Sequence, residues 1–519
     1  MNIINKYPEK IKGVLSTFDR MIFRAHLSCF YRKPTLNYFL YKQQILKKDF
    51  PAYAQTLSQQ IKDHAKKLAE NYGRPFKYLE SPQVSKEKLA LDIMDKDKIH
   101  EGLICILSSV ELCYAFTTIK DHKTGKLDVV IRPRKCLYLY FYYLDEEFGF
   151  MHIRLQTWFP FQIQVYINGR EYLSRKLDKS GIAYKRNDNS FIDISDIEKA
   201  QEIADKIQKK KWAPTLDALA QKVNPVLAEI KSVIPRGGYF WALWQCEYAT
   251  DVMFKSREEL EQIYSDLVKH ATFCFKCEDV MTFLGRKLNN NFLGEIVSDT
   301  KRRPQGIRVK HRMKKNFLKM YDKWTVLRIE TIINDPYEFK TYKEVMRKGK
   351  AQMKWVPMGK SVANIYRYAE VSKASNRRYL DALALAKDSN EVVKELEAIC
   401  KPIESKGRRY SAFNPIDEGC TRFFIALLDG ANNINGFSNK TLRTQLYPQT
   451  KKNDNSITTI ERKRTSGRVT RLLGKLRAHG LIAKIPHSFR YKVSKKGIKI
   501  MAAILKIKKL ELPGMAPCF

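Results

Sequence analysis

Six residues between positions 247 and 330 carry side chains that could act together on a phosphate ester. Glu247, His311 and Glu330 supply two carboxylates and an imidazole, Lys319 and Arg328 supply cations, and Tyr321 supplies a phenol. Oxygen and nitrogen donors of this kind suit a hard or borderline divalent ion, Mg2+ or Mn2+. Such an ion would polarise a phosphoryl oxygen while Tyr321, or alternatively Tyr248, attacks phosphorus. Lys319 and Arg328 would stabilise the charge that builds on the phosphate. An opposite reading stands equal from sequence alone. In it Arg328 and Glu330 pair across a sheet, Tyr321 is packing, and no chemistry follows.

The elements that would position these groups read as strands. Tyr239–Phe254 is expected to be a strand that bends into helix, and its Gln245 and Glu247, two apart, share a face. In Val326–Ile333, Arg328 and Glu330 share a face while Leu327, Ile329, Thr331 and Ile333 take the other. Gly306–Met313 carries His311. Phe317–Tyr321 carries Lys319 and Tyr321 beyond a Lys314-Lys315-Asn316 turn. Polar residues inside apolar strands mark places where local rules yield to function. If these strands pair, the whole set meets over one sheet surface.

Two resemblances bear on this set. Leu318-Lys319-Met320-Tyr321-Asp322-Lys323 with Leu327-Arg328-Ile329-Glu330 resembles the YDK…LR(I/V)E strand pair of plasmid and filamentous-phage rolling-circle replication initiators. That resemblance covers only this short stretch. It implies origin binding, a strand nick through a tyrosine, and a metal held by acidic and histidine side chains, with Glu330 and His311 as ligand candidates. The chain departs from the pattern in having no His-x-His pair, so the nucleophile does not carry over. The blocks Ser16–Arg20, Gln156–Phe161, Gln245–Asp251, Lys310–Met313 and Asn376–Leu380 are similar to those of a widespread, uncharacterised bacterial family ending in a winged helix. This second resemblance spans nearly the full chain. It implies a bacterial cytosolic DNA-binding protein of a mobile element and supplies no reaction.

The carboxy-terminal pattern is more specific than any short motif. Thr421–Asp429, Asn439–Tyr447 and Gly467–His479 read as helices; Ser438 caps the second, Pro448 ends it, and Ser466 caps the third. Val469, Leu472, Leu473 and Leu476 recur at i, i+3, i+4 and i+7. Leu481–Lys484 and Phe489–Val493 read as strands around a Pro486-His487-Ser488 wing, and Gly497–Leu505 as a last helix. That order predicts a winged helix-turn-helix. From Lys440 to Lys499 there are 17 Lys/Arg against two Asp/Glu. Arg468, Arg471, Lys475 and Arg477 lie off the apolar stripe, and Arg490 and Lys492 flank the wing. These six are expected to contact duplex DNA. A solvated basic helix, or a winged helix that docks protein, is the alternative.

The whole chain sets the frame. Its 519 residues carry a formal charge of +40, which favours a polyanion, most simply double-stranded DNA, with RNA possible. No apolar run approaches the ~18 residues of a spanning helix, and no signal core opens the chain. A cytoplasmic, nucleoid-associated protein without membrane contact is expected. The ten cysteines fit reduced thiols, and the Cys274–Cys277 spacing reads as core cysteines of a helix rather than a zinc site. No phosphate-cradling glycine loop is present, so no nucleotide or organic cofactor is indicated.

The fold class expected is α+β in five parts. Residues 1–130 form a mainly helical domain, and 131–235 an aromatic-rich antiparallel sheet with helices. Residues 236–345 form an α+β core for nucleic-acid processing, 346–415 a helical basic connector, and 416–510 the winged helix. Asn168-Gly169 reads as a hairpin turn. The aromatic run Cys136–Tyr143 reads as core on at least one face, with base stacking as an alternative. The function expected is a DNA-binding protein of mobile-element type, a metal-dependent strand-nicking and joining initiator or a transposase-like protein. A non-enzymatic winged-helix regulator and an RNA-binding ribonucleoprotein component are the rivals.

Overall fold

The computed structural model describes residues 3–509 except 31, 82, 121, 123, 124, 288–291, 293, 348, 349, 387–396, 406, 415, 416, 430, 431, 433–435, 448–458 and 487. The chain divides into two compact units, Met1–Ala386 and Lys387–Phe519. No helix among the described residues is long and apolar enough to cross a membrane.

The first unit is built on one sheet. Its strands are β1 (Ile11–Leu27), β2 (Phe76–Tyr78), β3 (Gly102–Lys120), β4 (Leu127–Asp145), β5 (Gly149–Gln156) and β6 (Ile163–Asn168). A small separate hairpin, β7 (Tyr184–Asn187) and β8 (Ser190–Ile194), follows. The sheet resumes with β9 (Tyr239–Phe254), β10 (Ile296–Arg302), β11 (Ile307–Met313), β12 (Asn316–Asp322) and β13 (Val326–Ile333). The order across it is β10-β11-β12-β13-β9-β1-β6-β5-β4-β3-β2, antiparallel everywhere except β2–β3. Alternation along β1, β5, β6 and β12 gives two unlike faces. The back face packs Phe18, Phe23, Tyr248, Leu318 and Met320 into one core with apolar residues of the helices Phe50–Asn71, Trp212–Val223, Arg257–Phe273 and Ile365–Leu383. The front face packs Leu15, Met253 and Val326 against Leu173 and Leu177 of the Gly169–Lys179 helix.

This sheet overturns the expected partition of the first 345 residues. β1 lies in the segment read as mainly helical, yet it is a central strand pairing β6 and β9. It joins Arg20 to Asn168 and Leu15 to Asp251, so three expected domains share one core. β3 also lies within that segment and runs for 19 residues. Asn168-Gly169 is no hairpin turn. The Asn168 side chain accepts from the backbone N–H of Arg170 and Glu171 and caps the Gly169–Lys179 helix, the competing role of Asn before a helix. β9 stays extended for all 16 residues instead of bending into helix. The stretch read as a helical connector opens with a hairpin, β14 (Lys340–Arg347) with β15 (Lys350–Pro357), before the Ile365–Leu383 helix. The Cys136–Tyr143 run is buried on both faces of β4 apart from half-buried Leu137 and Tyr143. Cys274 and Cys277 are exposed at adjoining helix ends, not core residues.

The second unit has its own core. Its described helices are Glu418–Leu427, Asn439–Leu446, Thr459–Ala478 and Lys495–Lys509. Two short hairpins are β16 (Ile403–Ser405) with β17 (Arg408–Tyr410), and β18 (Ile482–Lys484) with β19 (Tyr491–Val493). Ser438 caps the second helix as expected. Ser466 caps nothing: the third helix begins at Thr459, and the Ser466 hydroxyl donates to Asn439 Oδ1 at 3.4 Å. Val469, Leu473 and Leu476 enter the core with Phe424, Leu442 and Ile500. Pro448 and His487 lie outside the described residues.

Candidate functional site: an acidic and basic cleft on the front face

Strand register decides which predicted residues meet. β12 and β13 set Lys319 opposite Glu330 and Tyr321 opposite Arg328. β13 and β9 set Arg328 opposite Asp251 and Glu330 opposite Ala249, so Glu247 is the diagonal neighbour of Glu330 on the same face. Lys319, Tyr321, Arg328, Glu247 and Glu330 therefore line one cleft of about 530 Å³. His311 does not join them. It pairs with Leu318, one residue out of phase, and its ring turns to the back. There Nδ1 contacts Ser298 Oγ at 2.7 Å and Nε2 contacts the Tyr379 hydroxyl at 2.9 Å. Burial lowers its pKa to about 4, so it is a neutral core imidazole. The metal-ligand reading of His311 is thereby corrected.

Two bulges in the central strands add residues that periodicity does not predict. On β1 the partners run from Phe18↔Tyr248 to Met21↔Cys246, leaving one extra residue at Asp19–Arg20. Both side chains consequently reach the cleft. On β9 the partners run from Gln245↔Ile22 to Leu243↔Phe23, leaving Trp244 extra. This second bulge puts Trp244 on the front with Gln245 and Glu247. STFDR shows the first irregularity in sequence, because two polar residues interrupt an alternating run.

Beneath the cleft lies a closed ionic network. Arg328 Nε and Nη2 donate to the two Asp251 oxygens at 2.8 and 3.0 Å, and Nη1 donates to Asp19 Oδ2 at 3.1 Å. Its Nη2 also reaches the Asn189 carbonyl at 2.6 Å and Ser190 Oγ at 2.9 Å. Arg170 Nη1 donates to Asp251 Oδ2 at 2.5 Å. Burial opposes the Asp251 charge, but Arg170 and Arg328 outweigh it and hold the carboxyl below its usual range. Arg328 is thus committed to the framework and is a positioning residue, not the phosphate clamp expected from sequence. The more exposed Arg20, 3.9 Å from Glu247 Oε1, takes the cleft position.

Above that floor lie two further pairings. Lys319 Nζ donates to Glu330 Oε1 at 2.8 Å. Gln245 Nε2 donates to Glu247 Oε1 at 2.7 Å. Burial, then the charge of Glu330, pushes the Glu247 pKa up to about 7. Burial and Glu330 also raise the Tyr321 phenol, against the pull of Lys319. Glu247 can therefore exchange a proton near neutral pH, and Tyr321 stays protonated unless a base takes its proton.

The donor set fits a divalent ion in one limited way. No group of three His, Cys, Asp or Glu converges among the described residues. Glu247 and Glu330 form a repelling pair, and hard cations such as Mg2+ are often held by one or two carboxylates plus substrate oxygens. Held between these two, Mg2+ or Mn2+ would supply Lewis-acid polarisation of a phosphoryl oxygen.

In the second unit Arg468, Arg471, Arg477, Arg490 and Lys492 are exposed. Lys475 is not available as expected: its Nζ donates to the Ala412 carbonyl at 2.7 Å and lies 4.2 Å from the Phe413 ring centroid. No protein-family model, curated protein or solved structure matches the chain.

Proposed function

We propose that this chain binds nucleic acid and breaks a phosphodiester bond in the Glu247–Glu330 cleft. The observation that carries this reading is the meeting of Glu247, Glu330, Lys319, Tyr321 and Arg20 in one cleft of a chain with net charge +40. Lys319 and Arg20 face the phosphate charge. Tyr321 Oη forms the new bond to phosphorus, its proton passes to Glu247, and the bond to the departing sugar oxygen breaks. The leaving oxygen takes a proton from solvent. The phosphotyrosine keeps the bond energy for rejoining. The second unit acts as a winged helix that seats a duplex, a reading supported by its helix order, its β18–β19 hairpin and its exposed arginines.

The test is incubation of the full chain with supercoiled and single-stranded DNA in Mg2+ or Mn2+. Nicks and a covalent adduct are expected. Glu330→Ala should abolish both. Nicking that survives Tyr321→Phe makes water the nucleophile. Tight duplex binding with no cleavage of any form would leave a regulator and overturn the enzymatic reading.

A further inference from the structure

A second depression lies on the same front face, beyond the cleft. It has a volume of about 430 Å³. Arg24, Arg154, Lys360, Gln164, Phe240 and Trp244 are among the residues that line it, and no lining residue is acidic. Trp244 is 42% exposed and Phe240 55%, on the end of β9 that runs past its pairing with β13. The β9 bulge is what brings the indole to this side. Lys360 Nζ stands 3.7 Å from the Trp244 ring centroid, and the Arg24 guanidinium 4.5 Å. Burial and then the neighbouring Arg154 charge depress the Arg24 pKa, a repulsion felt by Arg24. Arg154 itself is paired with Glu111, its Nη2 donating to Oε2 at 2.6 Å. A bound anion would relieve that repulsion. Planar rings flanked by crowded cations suit one ligand chemistry above others, a base joined to a phosphate.

The groove and the cleft both draw on β1. Arg20 lines the cleft and Arg24 the groove, four residues apart on β1, which is about 13 Å at ~3.3 Å per residue. Gln164 accepts from Arg24 Nε at 2.7 Å and holds that guanidinium over the sheet. A paired duplex cannot offer its base faces to Trp244, whereas an unpaired strand can.

We propose that the Trp244 groove binds an unpaired polynucleotide strand, stacking a base on the indole and holding the adjoining phosphates with Arg24 and Lys360, next to the Glu247–Glu330 cleft. This rests on the nucleic-acid reading above and narrows it to a single strand at this face. The test uses the full chain, EDTA and a fluorescent short oligothymidylate, read by anisotropy. Trp244→Leu should weaken binding by about ten-fold, the scale of one lost base stack, and Trp244→Phe should largely restore it. Lys360→Glu should weaken it as well. Duplex affinity should not change with Trp244→Leu. Wild-type binding that both Trp244→Leu and Lys360→Glu leave intact overturns the groove and spares the broader reading. Equal displacement by thymidine monophosphate at matched nucleotide concentration overturns the strand and leaves a free-nucleotide site. No binding to any nucleic acid overturns both.

Discussion

Glu330 and Lys319 stand opposite each other across β13 and β12, and the lysine Nζ donates a 2.8 Å hydrogen bond to Glu330 Oε1. Their side chains are only 5% and 15% exposed. Burial opposes the ammonium charge, but Glu330 outweighs it and holds Lys319 above its usual range. Glu330 in turn raises Glu247, against the pull of Arg20 and then Lys319. Lys319 thus bonds one carboxylate and lowers the proton affinity of the other.

Removing that lysine should move Glu247. With Lys319→Met, Glu330 loses its hydrogen-bonded cation, and Glu247 loses one of the two cations that hold its pKa down and binds its proton more tightly. Cleavage that needs ionised Glu247 rises through about pH 7 in the native chain and should rise at higher pH in the variant, with a lower plateau. The pH dependence of single-turnover nicking measures this. An unchanged midpoint would show that Lys319 does not govern Glu247.

Glu247 also links pH to stability. Its folded pKa of about 7 exceeds the ordinary 4.5, so its contribution is fully present below about 4.5 and is lost as pH rises through 7. His311 runs the other way. Its folded pKa of about 4 lies below 6.5, so its contribution is present above 6.5 and is lost as pH falls toward 4. The two trends oppose each other between about pH 4.5 and 6.5. Glu247→Gln should stabilise the chain at pH 8 by an amount on the order of 2 kcal/mol. It should also unmask a steeper loss on acidification. Urea unfolding at several pH values gives both numbers, and parallel profiles for the two proteins would refute the coupling.

The floor of the cleft is where truncation should hurt most. Asp251 is fully buried between Arg170 and Arg328. Asp251→Asn leaves two buried guanidiniums short of a counter-charge, and a cost of about 3–5 kcal/mol is expected. Added salt should change it little, because the network is out of solvent. A loss under about 1 kcal/mol in urea unfolding would mean that Asp19 alone balances both arginines.

Much of the site was legible in sequence, and its limits have one cause. Val326–Ile333 was bounded correctly, and the shared face of Arg328 and Glu330 followed from alternation alone. Gln245 and Glu247 followed likewise. His311 was misplaced because alternation fixes sides within a strand, not the phase between strands; register with Leu318 decides that. Asp19, Arg20 and Trp244 were missed because bulges shift phase within a strand. Asp251 was missed because its partner Arg170 lies on a helix 81 residues away in the chain, a contact that no local pattern encodes. The single sheet was missed for the same reason, since β1 finds its partners only across long loops. In the second unit the contacts are closer in sequence, and the order helix, helix, helix, hairpin, helix was legible, although the third helix starts eight residues before the expected Gly467 and the β16–β17 hairpin was not expected.

Within that unit, Arg471 and Lys475 separate binding from folding. They lie one turn apart on the Thr459–Ala478 helix and look alike in sequence. Arg471 is exposed, and its Nε reaches only its own helix, the Gly467 carbonyl at 3.4 Å. Arg471→Ala in the full chain should weaken duplex binding and reduce the salt slope by about 0.9, the value of one lost phosphate contact. Lys475 instead holds the Ala412 carbonyl and the Phe413 ring. Lys475→Ala should leave the salt slope alone and lower the second unit's resistance to urea by about 1–2 kcal/mol, a hydrogen bond plus a cation–π contact. Titrations at several salt concentrations, run beside unfolding curves, read the two effects apart. If Lys475→Ala flattened the slope while Arg471→Ala did not, Lys475 rather than Arg471 would be the side chain that meets the phosphates.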